Sequence, residues 1–407
     1  MSRYDTPKQI GIGHIELGEK EREYLNEVIR SNRLSYGPFS QKFERLFASL
    51  HECRYAVFCN SGTSALHVAL AALKEKYHWE DGDEVIVPAV TFVATSNIVL
   101  HNNMRPVFVD VDPKTYNINP RLIEERINSR TRAIIPVHLM GLPCDMEALF
   151  EICKKYNLRM IEDSCETMFA SYKGKKVGSF GDIGCFSTYI AHYIVTGVGG
   201  LATTNDPELA VLLKSLVNHG RDSIYLNIDD DQGVGKEKLL EIVSKRFSFV
   251  HLGHSFRATE LEAAIGLAQL EAKDDMIQKR NANASYLIRE LKDLESAIQL
   301  PYIPPDRDHM FMVFPLVLRK ENKRNLVNFL EENGIETRDL LPLINQPIYK
   351  KLFGNLEKDC PVAKWLNDSG FYIGCHQYLK REEMDYTIEK LHGYFKLHLN
   401  QVGEALG

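Results

Sequence analysis

The chain has 407 residues, with 49 Lys and Arg against 55 Asp and Glu, a formal net charge of −6 and 44% hydrophobic residues. That length and apolar content suit a large domain plus a smaller one, and the intermixed charges exclude an extended basic surface of the kind that tracks nucleic acid. The first residues, MSRYDTPKQIGIGHIELGEKE, lack a signal-peptide core, and no later stretch nears the roughly 20 apolar residues that span a bilayer, so a soluble cytoplasmic protein with neither nucleic-acid nor membrane partners is expected. The eight cysteines (Cys53, Cys59, Cys144, Cys153, Cys165, Cys185, Cys360 and Cys375) form no CxxC pair and lack metal-site spacing, and they read as free buried thiols.

From about residue 55 to 205 short β-rich runs alternate with helical patterns, the mark of an α/β fold with a mostly parallel sheet covered by helices. Tyr55–Cys59, Glu84–Val87, Pro106–Asp110, Ala133–Val137, Arg159–Asp163 and Gly184–Ser187 are the expected strands. Several end in a polar residue at the carboxyl edge, where such sheets bind ligands. After Ser61, the residues Leu66, Ala69, Leu70, Leu73 and Tyr77 fall on one helical face, and a second helix covers Met146–Tyr156. Residues 224–250, with the acidic run Asp229–Asp231, break the rhythm and read as a surface loop near a cleft. Thr259–Asp275 and Ile277–Leu294 read as long helices, the second leading into a C-terminal α+β region. The expected division is a large domain over 1–279, with its N-terminal segment reaching the small domain, and a small domain over 280–407.

Three constellations carry chemistry. Asn60-Ser61-Gly62-Thr63-Ser64-Ala65 lies between a strand and a helix, where free backbone N–H groups and the helix dipole suit a phosphate, although Ser and Thr there are also ordinary helix caps. Glu162-Asp163 ends an apolar strand; an aspartate there either pairs with a protonated pyridine nitrogen or caps the next turn. Cys185-Phe186-Ser187-Thr188-Tyr189-Ile190-Ala191-His192 leads into Thr196-Gly197-Val198-Gly199-Gly200, so that Ser187 adds a hydroxyl to the phosphate and the glycines permit a tight turn. His138, ending a strand, reads as a hydrogen-bonded structural residue, while His219 and Arg221 are candidates for substrate phosphates or carboxylates.

In this order and separation the three pieces resemble the DegT/DnrJ/EryC1/StrS family of sugar aminotransferases, a branch of the aspartate-aminotransferase fold, or pyridoxal-phosphate fold type I. Other matching stretches include Leu34-Ser35-Tyr36-Gly37, Val87-Pro88-Ala89-Val90-Thr91-Phe92-Val93-Ala94-Thr95, Phe108-Val109-Asp110-Val111-Asp112, His219-Gly220-Arg221 and Glu262-Ala263-Ala264-Ile265-Gly266. The resemblance implies a mostly parallel, seven-stranded type of sheet and pyridoxal 5′-phosphate as cofactor. It assigns Gly62, Thr63 and Ser187 to the cofactor phosphate, Phe92 to ring stacking and Asp163 to the ring nitrogen. Glu166 stands where the family usually has glutamine near the ring hydroxyl, and Val198 where it usually has glutamate. Ser255 replaces the asparagine that commonly reaches a partner subunit's cofactor phosphate, and Arg257 is expected to approach from that partner in a homodimer.

The decisive departure comes five residues after Ser187, where the family's cofactor-binding lysine is replaced by His192. An imidazole forms no stable Schiff base but accepts and returns a proton near neutral pH. This resembles the histidine-containing 3-dehydratase branch of the family. The resemblance implies noncovalent pyridoxamine 5′-phosphate, a nucleotide-linked 4-keto-6-deoxy sugar as substrate, loss of its C3 hydroxyl with His192 as acid and base, and an amino donor such as glutamate. No CxC pair follows His192, so the subgroup without an iron–sulfur cluster is expected. The alternatives are a nucleotide-sugar aminotransferase, were lysine native at 192, and a non-catalytic sugar-nucleotide-binding protein.

Overall fold

Strands covered on both faces are apolar along their whole length rather than alternating, and the larger sheet is built from such runs. The computed structural model describes residues 9–222, 233–245, 247–320 and 322–404. Its strands in chain order are β1 (Tyr55–Cys59), β2 (Glu84–Pro88), β3 (Arg105–Val109), β4 (Thr131–Ile134), β5 (Arg159–Asp163), β6 (Ser171–Tyr172), β7 (Lys175–Lys176), β8 (Ile183–Ser187) and β9 (Gly200–Thr204). Seven of them form one sheet in the order β1-β9-β8-β5-β4-β2-β3, and β6 and β7 form a separate hairpin. The pairs β8–β5, β5–β4, β4–β2 and β2–β3 are parallel, whereas β9 runs antiparallel to both β1 and β8.

β9 was not among the expected strands. Gly200-Leu201-Ala202-Thr203-Thr204 has little apolar bulk of its own, and its place comes from pairing on both sides. The register sets Cys59 and Ser187 against the same Gly200, which brings the ends of β1 and β8 together. The fourth expected strand ends earlier than its apolar pattern, at Ile134, and Val137 meets Asp163 in an isolated bridge.

The helix Gly62–Lys76 buries Leu66, Ala69, Leu70 and Leu73 against the sheet, the face its spacing indicated. Helix Met146–Tyr156 has the expected bounds, with Asp145 capping its first turn and Asn157 in the left-handed region ending it. The two long helices divide at Ala272, giving Glu260–Glu271 and Lys273–Glu290. Thr259 starts the first through a reciprocal cap with Glu262. Lys236–Ser244 is a helix rather than part of a loop; the Asp229–Asp231 run lies outside the described residues.

A second sheet contains β10 (Ile298–Gln299), β11 (Val313–Leu318), β12 (Arg338–Asp339) and β13 (Gly370–Gly374), antiparallel in the order β10-β11-β13-β12. Leu287, Phe314, Leu316, Leu326, Leu330, Phe371 and Leu391 fill its core, and Ile10 packs against it. Ile10 also pairs with Ile335, with its amide on the Gly334 carbonyl at 2.9 Å. Helix Lys273–Glu290 serves both cores, giving Met276 to the first and Leu287 to the second. No helix among the described residues is long and apolar enough to cross a membrane.

The helix Pro38–Leu50 locks onto the first core through Phe43 and Phe47, which meet Phe58 and Phe186 edge-on. His51, fully buried, stacks on Phe47 with ring centroids 4.3 Å apart. Its Nδ1 faces the Phe47 carbonyl at 3.0 Å and its Nε2 accepts the Phe169 amide at 3.3 Å, which fixes a neutral tautomer. Burial pushes its pKa down from 6.5 to about 4. The unfolded chain therefore binds the extra proton, so the stability gained by keeping His51 neutral is complete above pH 6.5 and lost as pH falls towards 4. His51→Gln retains a donor and an acceptor and does not titrate. It should lose less stability than wild type between pH 7.5 and 4.5, by on the order of 3 kcal/mol at 1.36 kcal/mol per unit, as measured by denaturant unfolding; equal losses would contradict this account.

Candidate active site

The carboxyl ends of β1, β2, β5 and β8 open onto a cavity of about 450 Å³, within the range of small-molecule sites. Met312, Leu341 and Tyr372 close it from the side of the second sheet. Of the residues expected to hold a cofactor, Gly62, Thr63, Phe92, Asp163, Glu166 and Ser187 all line this space, as does His192.

At one end lies an anion cradle. Ser61 caps the helix Gly62–Lys76, its Oγ accepting the Ser64 amide at 3.0 Å. The Gly62 and Thr63 amides belong to the first turn, which has no intrahelical acceptors, so they face the cavity with the positive end of the helix dipole. Ser187, at the end of β8, stands beside them. A Cβ on Gly62 would lie 2.7 Å from the Ser187 Cβ and 2.9 Å from the Cys165 Sγ. Only glycine lets the backbone approach this closely, and the space fits a phosphate group.

Asp163 sits at the next carboxyl end, 4% exposed. Its carboxylate accepts from Thr95 Oγ1 at 2.7 Å and from the Cys165 amide at 3.2 Å, both neutral donors. Burial raises its pKa; a protonated ring nitrogen would supply the missing positive partner. Phe92, at the N-cap of helix Val93–His101, is 58% exposed although apolar, and its ring forms part of the wall. Glu166 accepts the Met140 amide at 2.9 Å, and burial lifts its pKa to about 7. A carboxyl group with that value is present near neutrality in both donor and acceptor forms.

His192 lies on a loop held at several points. Thr188 donates its amide to the Gly199 carbonyl at 3.0 Å, and Gln269 clasps both backbone groups of Val195. Tyr193, buried behind the histidine, donates its hydroxyl to the Glu166 carbonyl at 3.2 Å. The His192 Nδ1 is buried without a hydrogen-bond partner. Burial pushes the imidazole down to about 4, with a backbone contact to Cys165 offsetting part of the effect and the Arg280 charge adding to it. The ring is thus neutral at pH 7.

Ser255, Arg257, His219 and Arg221 do not line this cavity. Ser255 and Arg257 are exposed and bridge to Asn218 and Cys59, on the outer side of edge strand β1. The Arg221 guanidinium carbon lies 5.8 Å from the Phe249 ring centre. Among the described residues no lysine lines the cavity: Lys173, in the β6–β7 hairpin, pairs with Glu147, and Lys214 lies beside Tyr36. His138 is structural, accepting the Cys144 amide at Nδ1 and facing Glu162 from Nε2 at 3.1 Å. All eight cysteines are free, and no metal-binding cluster occurs among the described residues. Sequence reasoning assigned no role to Thr95 and missed Met312, Leu341 and Tyr372; the last three arrive through tertiary packing, with no local signal.

The sheet order, the phosphate cradle and the aspartate beneath an aromatic wall define a pyridoxal-phosphate enzyme of fold type I. The chain belongs to the DegT/DnrJ/EryC1/StrS aminotransferase family, whose model matches residues 16–392. It is 33% identical over 392 residues to GDP-perosamine synthase of Caulobacter vibrioides, covering 95% of this chain and 98% of that protein. It is 32% identical over 391 residues to dTDP-4-dehydro-2,6-dideoxy-D-glucose 3-dehydratase of Saccharopolyspora spinosa, covering 92% and 84%. Among solved structures, GDP-4-keto-6-deoxy-D-mannose-3-dehydratase of Escherichia coli with bound hydrated pyridoxal phosphate superposes with a TM-score of 0.85 at 28% identity, covering 94% of this chain and 99% of that one. Pyridoxal 5′-phosphate is accordingly the cofactor of this chain.

The cradle yields a direct test. Gly62→Ala places a methyl group against Ser187 and Cys165, and such overpacking typically costs about 1–3 kcal/mol. Affinity for pyridoxal phosphate, read by spectroscopic titration, should fall roughly 10-fold or more, and unchanged affinity would remove Gly62 from the phosphate site.

Proposed function

We propose that this protein is a 3-dehydratase acting on a nucleotide-linked 4-keto-6-deoxy sugar, with pyridoxamine 5′-phosphate held noncovalently and His192 as both base and acid. The observation that carries this reading is the His192 imidazole on the cavity wall at the family's lysine position, with no lysine among the described residues lining the cavity. When bound, the cofactor supplies an electron sink for negative charge developing beside its ring.

The protein's own groups do the rest. The Gly62 and Thr63 amides and the Ser187 hydroxyl hold the phosphate, Phe92 covers a ring face, and Asp163 keeps the ring nitrogen protonated. His192, neutral at pH 7, takes a proton on its imidazole and returns it to the departing C3 hydroxyl. With glutamate as donor the atoms balance: the sugar loses one oxygen, and glutamate leaves as 2-oxoglutarate and ammonia. These residues all fall within 1–279, which we take as the large domain, with 280–407 as the small one. In this reading Ser255 and Arg257 reach the cofactor phosphate of a partner subunit in a homodimer, while His219 and Arg221 meet substrate phosphates; the exposure of Ser255, Arg257 and His219 supports it.

The 3-dehydratase relatives support this reaction, whereas similarity to GDP-perosamine synthase favours transamination as the second reading. Purified protein mixed with pyridoxamine phosphate, glutamate and a panel of nucleotide-linked 4-keto-6-deoxy sugars decides between them. Ammonia with a 3-deoxy sugar is the expected product; a stable amino sugar indicates an aminotransferase, and tight binding without turnover a binding protein. Borohydride should leave no cofactor covalently attached to wild type. His192→Lys should gain such a label and lose most of its dehydration, and unimpaired dehydration would exclude His192 as the base.

A further inference from the structure

We propose that Arg280 is a positioning residue that grips the His192 loop by its backbone and holds a buried positive charge beside it. This inference rests on the reading of His192 as the proton carrier.

Arg280 projects from helix Lys273–Glu290 and is 2% exposed. Its Nη2 donates to the His192 carbonyl at 3.5 Å, and its Nη1 to the carbonyls of Met312 at 2.9 Å and Phe311 at 3.3 Å. Its Nε donates to Gln377 Oε1 at 2.9 Å. The guanidinium carbon lies 4.9 Å from the Tyr193 ring centre, a cation–π contact with the residue after the histidine. One side chain therefore joins the catalytic loop, the cavity-lining segment at Met312 and the turn after β13.

Every one of these partners is neutral. A buried cation without a carboxylate is costly, and tying loops together does not require charge, because a neutral amide also donates to carbonyls. The retained charge acts through its field. Burial is the largest cause of the lowered pKa of both His192 and His376, and the Arg280 charge adds to it in each, the direction expected when a fixed cation faces an imidazole.

The other groups facing the imidazole do not replace it. Cys165 acts through its backbone in the opposite direction. Asp163 and Glu166 line the same cavity, and burial raises both carboxyls, Glu166 to about 7. The Tyr189 ring centre lies 6.5 Å from the imidazole, and burial raises the phenol of Tyr372 across the cavity, which is uncharged at neutral pH. A guanidinium stays charged throughout the working range.

The test is a histidine-labelled NMR titration of the cofactor-free protein, with the His192 signal assigned by its loss in His192→Asn. In wild type the ring should titrate near 4. Arg280→Met should raise that midpoint, by less than the whole depression because burial persists. Arg280→Lys keeps the charge and should leave the midpoint in place, but one ammonium cannot reproduce the fork, so kcat should fall on the order of 10-fold with KM little changed.

A wild-type midpoint at 6.5 overturns the proposal, as does an unchanged midpoint in folded Arg280→Met. Should the methionine variant fail to fold, a midpoint that rises in Arg280→Lys overturns it equally. The titration needs no turnover. A shift in Arg280→Met without dehydration by wild type upholds the electrostatic role and sinks the dehydratase reading; dehydration without a shift does the reverse.

Discussion

The closeness of backbone to backbone where β1, β8 and β9 end is the constraint from which the rest of the site follows. A Cβ on Gly200 would lie 2.4 Å from the Gly62 nitrogen, so the start of the helix Gly62–Lys76 rests directly on the strand pair below it. This contact fixes the helix amides relative to Ser187. β5 lies next to β8 in the sheet, so the same contact fixes their distance to Asp163. Phe92 enters after β2, two strands further along, and lies across the space from the aspartate. A phosphate at one end and a ring nitrogen at the other are thus positioned by sheet register rather than by mobile side chains, which is how rigid elements achieve accurate sites.

The site's electrostatics obey one rule: burial pushes each ionisable group towards its neutral form. The carboxyls of Asp163 and Glu166 are raised and the imidazole of His192 is lowered. A ligand that brings both a cationic ring nitrogen and an anionic phosphate reverses part of this, because each charge meets a group prepared for it. Binding and protonation are therefore coupled, and the cavity discriminates by charge pattern as well as by shape.

Much of this was legible in the sequence because the relevant signals are local. The strand Arg159–Asp163, the helix Met146–Tyr156 and the buried face of the helix after Ser61 appear where periodicity and end signals put them. The cofactor residues lie within a few positions of strand ends, where an α/β fold collects its ligands. What was not legible is long-range. β9 is a weak strand by composition and exists because two neighbours pair with it. Met312, Leu341 and Tyr372 enter the cavity from a second sheet, and the Arg280 guanidinium reaches the His192 carbonyl across 88 positions. The lysine-free wall was legible only as one substitution at position 192; that no other lysine among the described residues takes its place required coordinates. The division between the two long helices at Ala272 shows a smaller limit, since their apolar pattern continues through the break.

The neck of the histidine loop has a further consequence. Ser187 pairs with Gly200, Thr188 with Gly199, and the hydroxyls of Thr188 and Thr196 meet at 2.6 Å, so the segment between them leaves and re-enters the sheet at nearly one point. Such a closed excursion acts as an interchangeable cartridge. The residue at its tip can differ between relatives while the sheet beneath keeps its register and its grip on the phosphate, so a change of chemistry within this fold need not be accompanied by a change of framework.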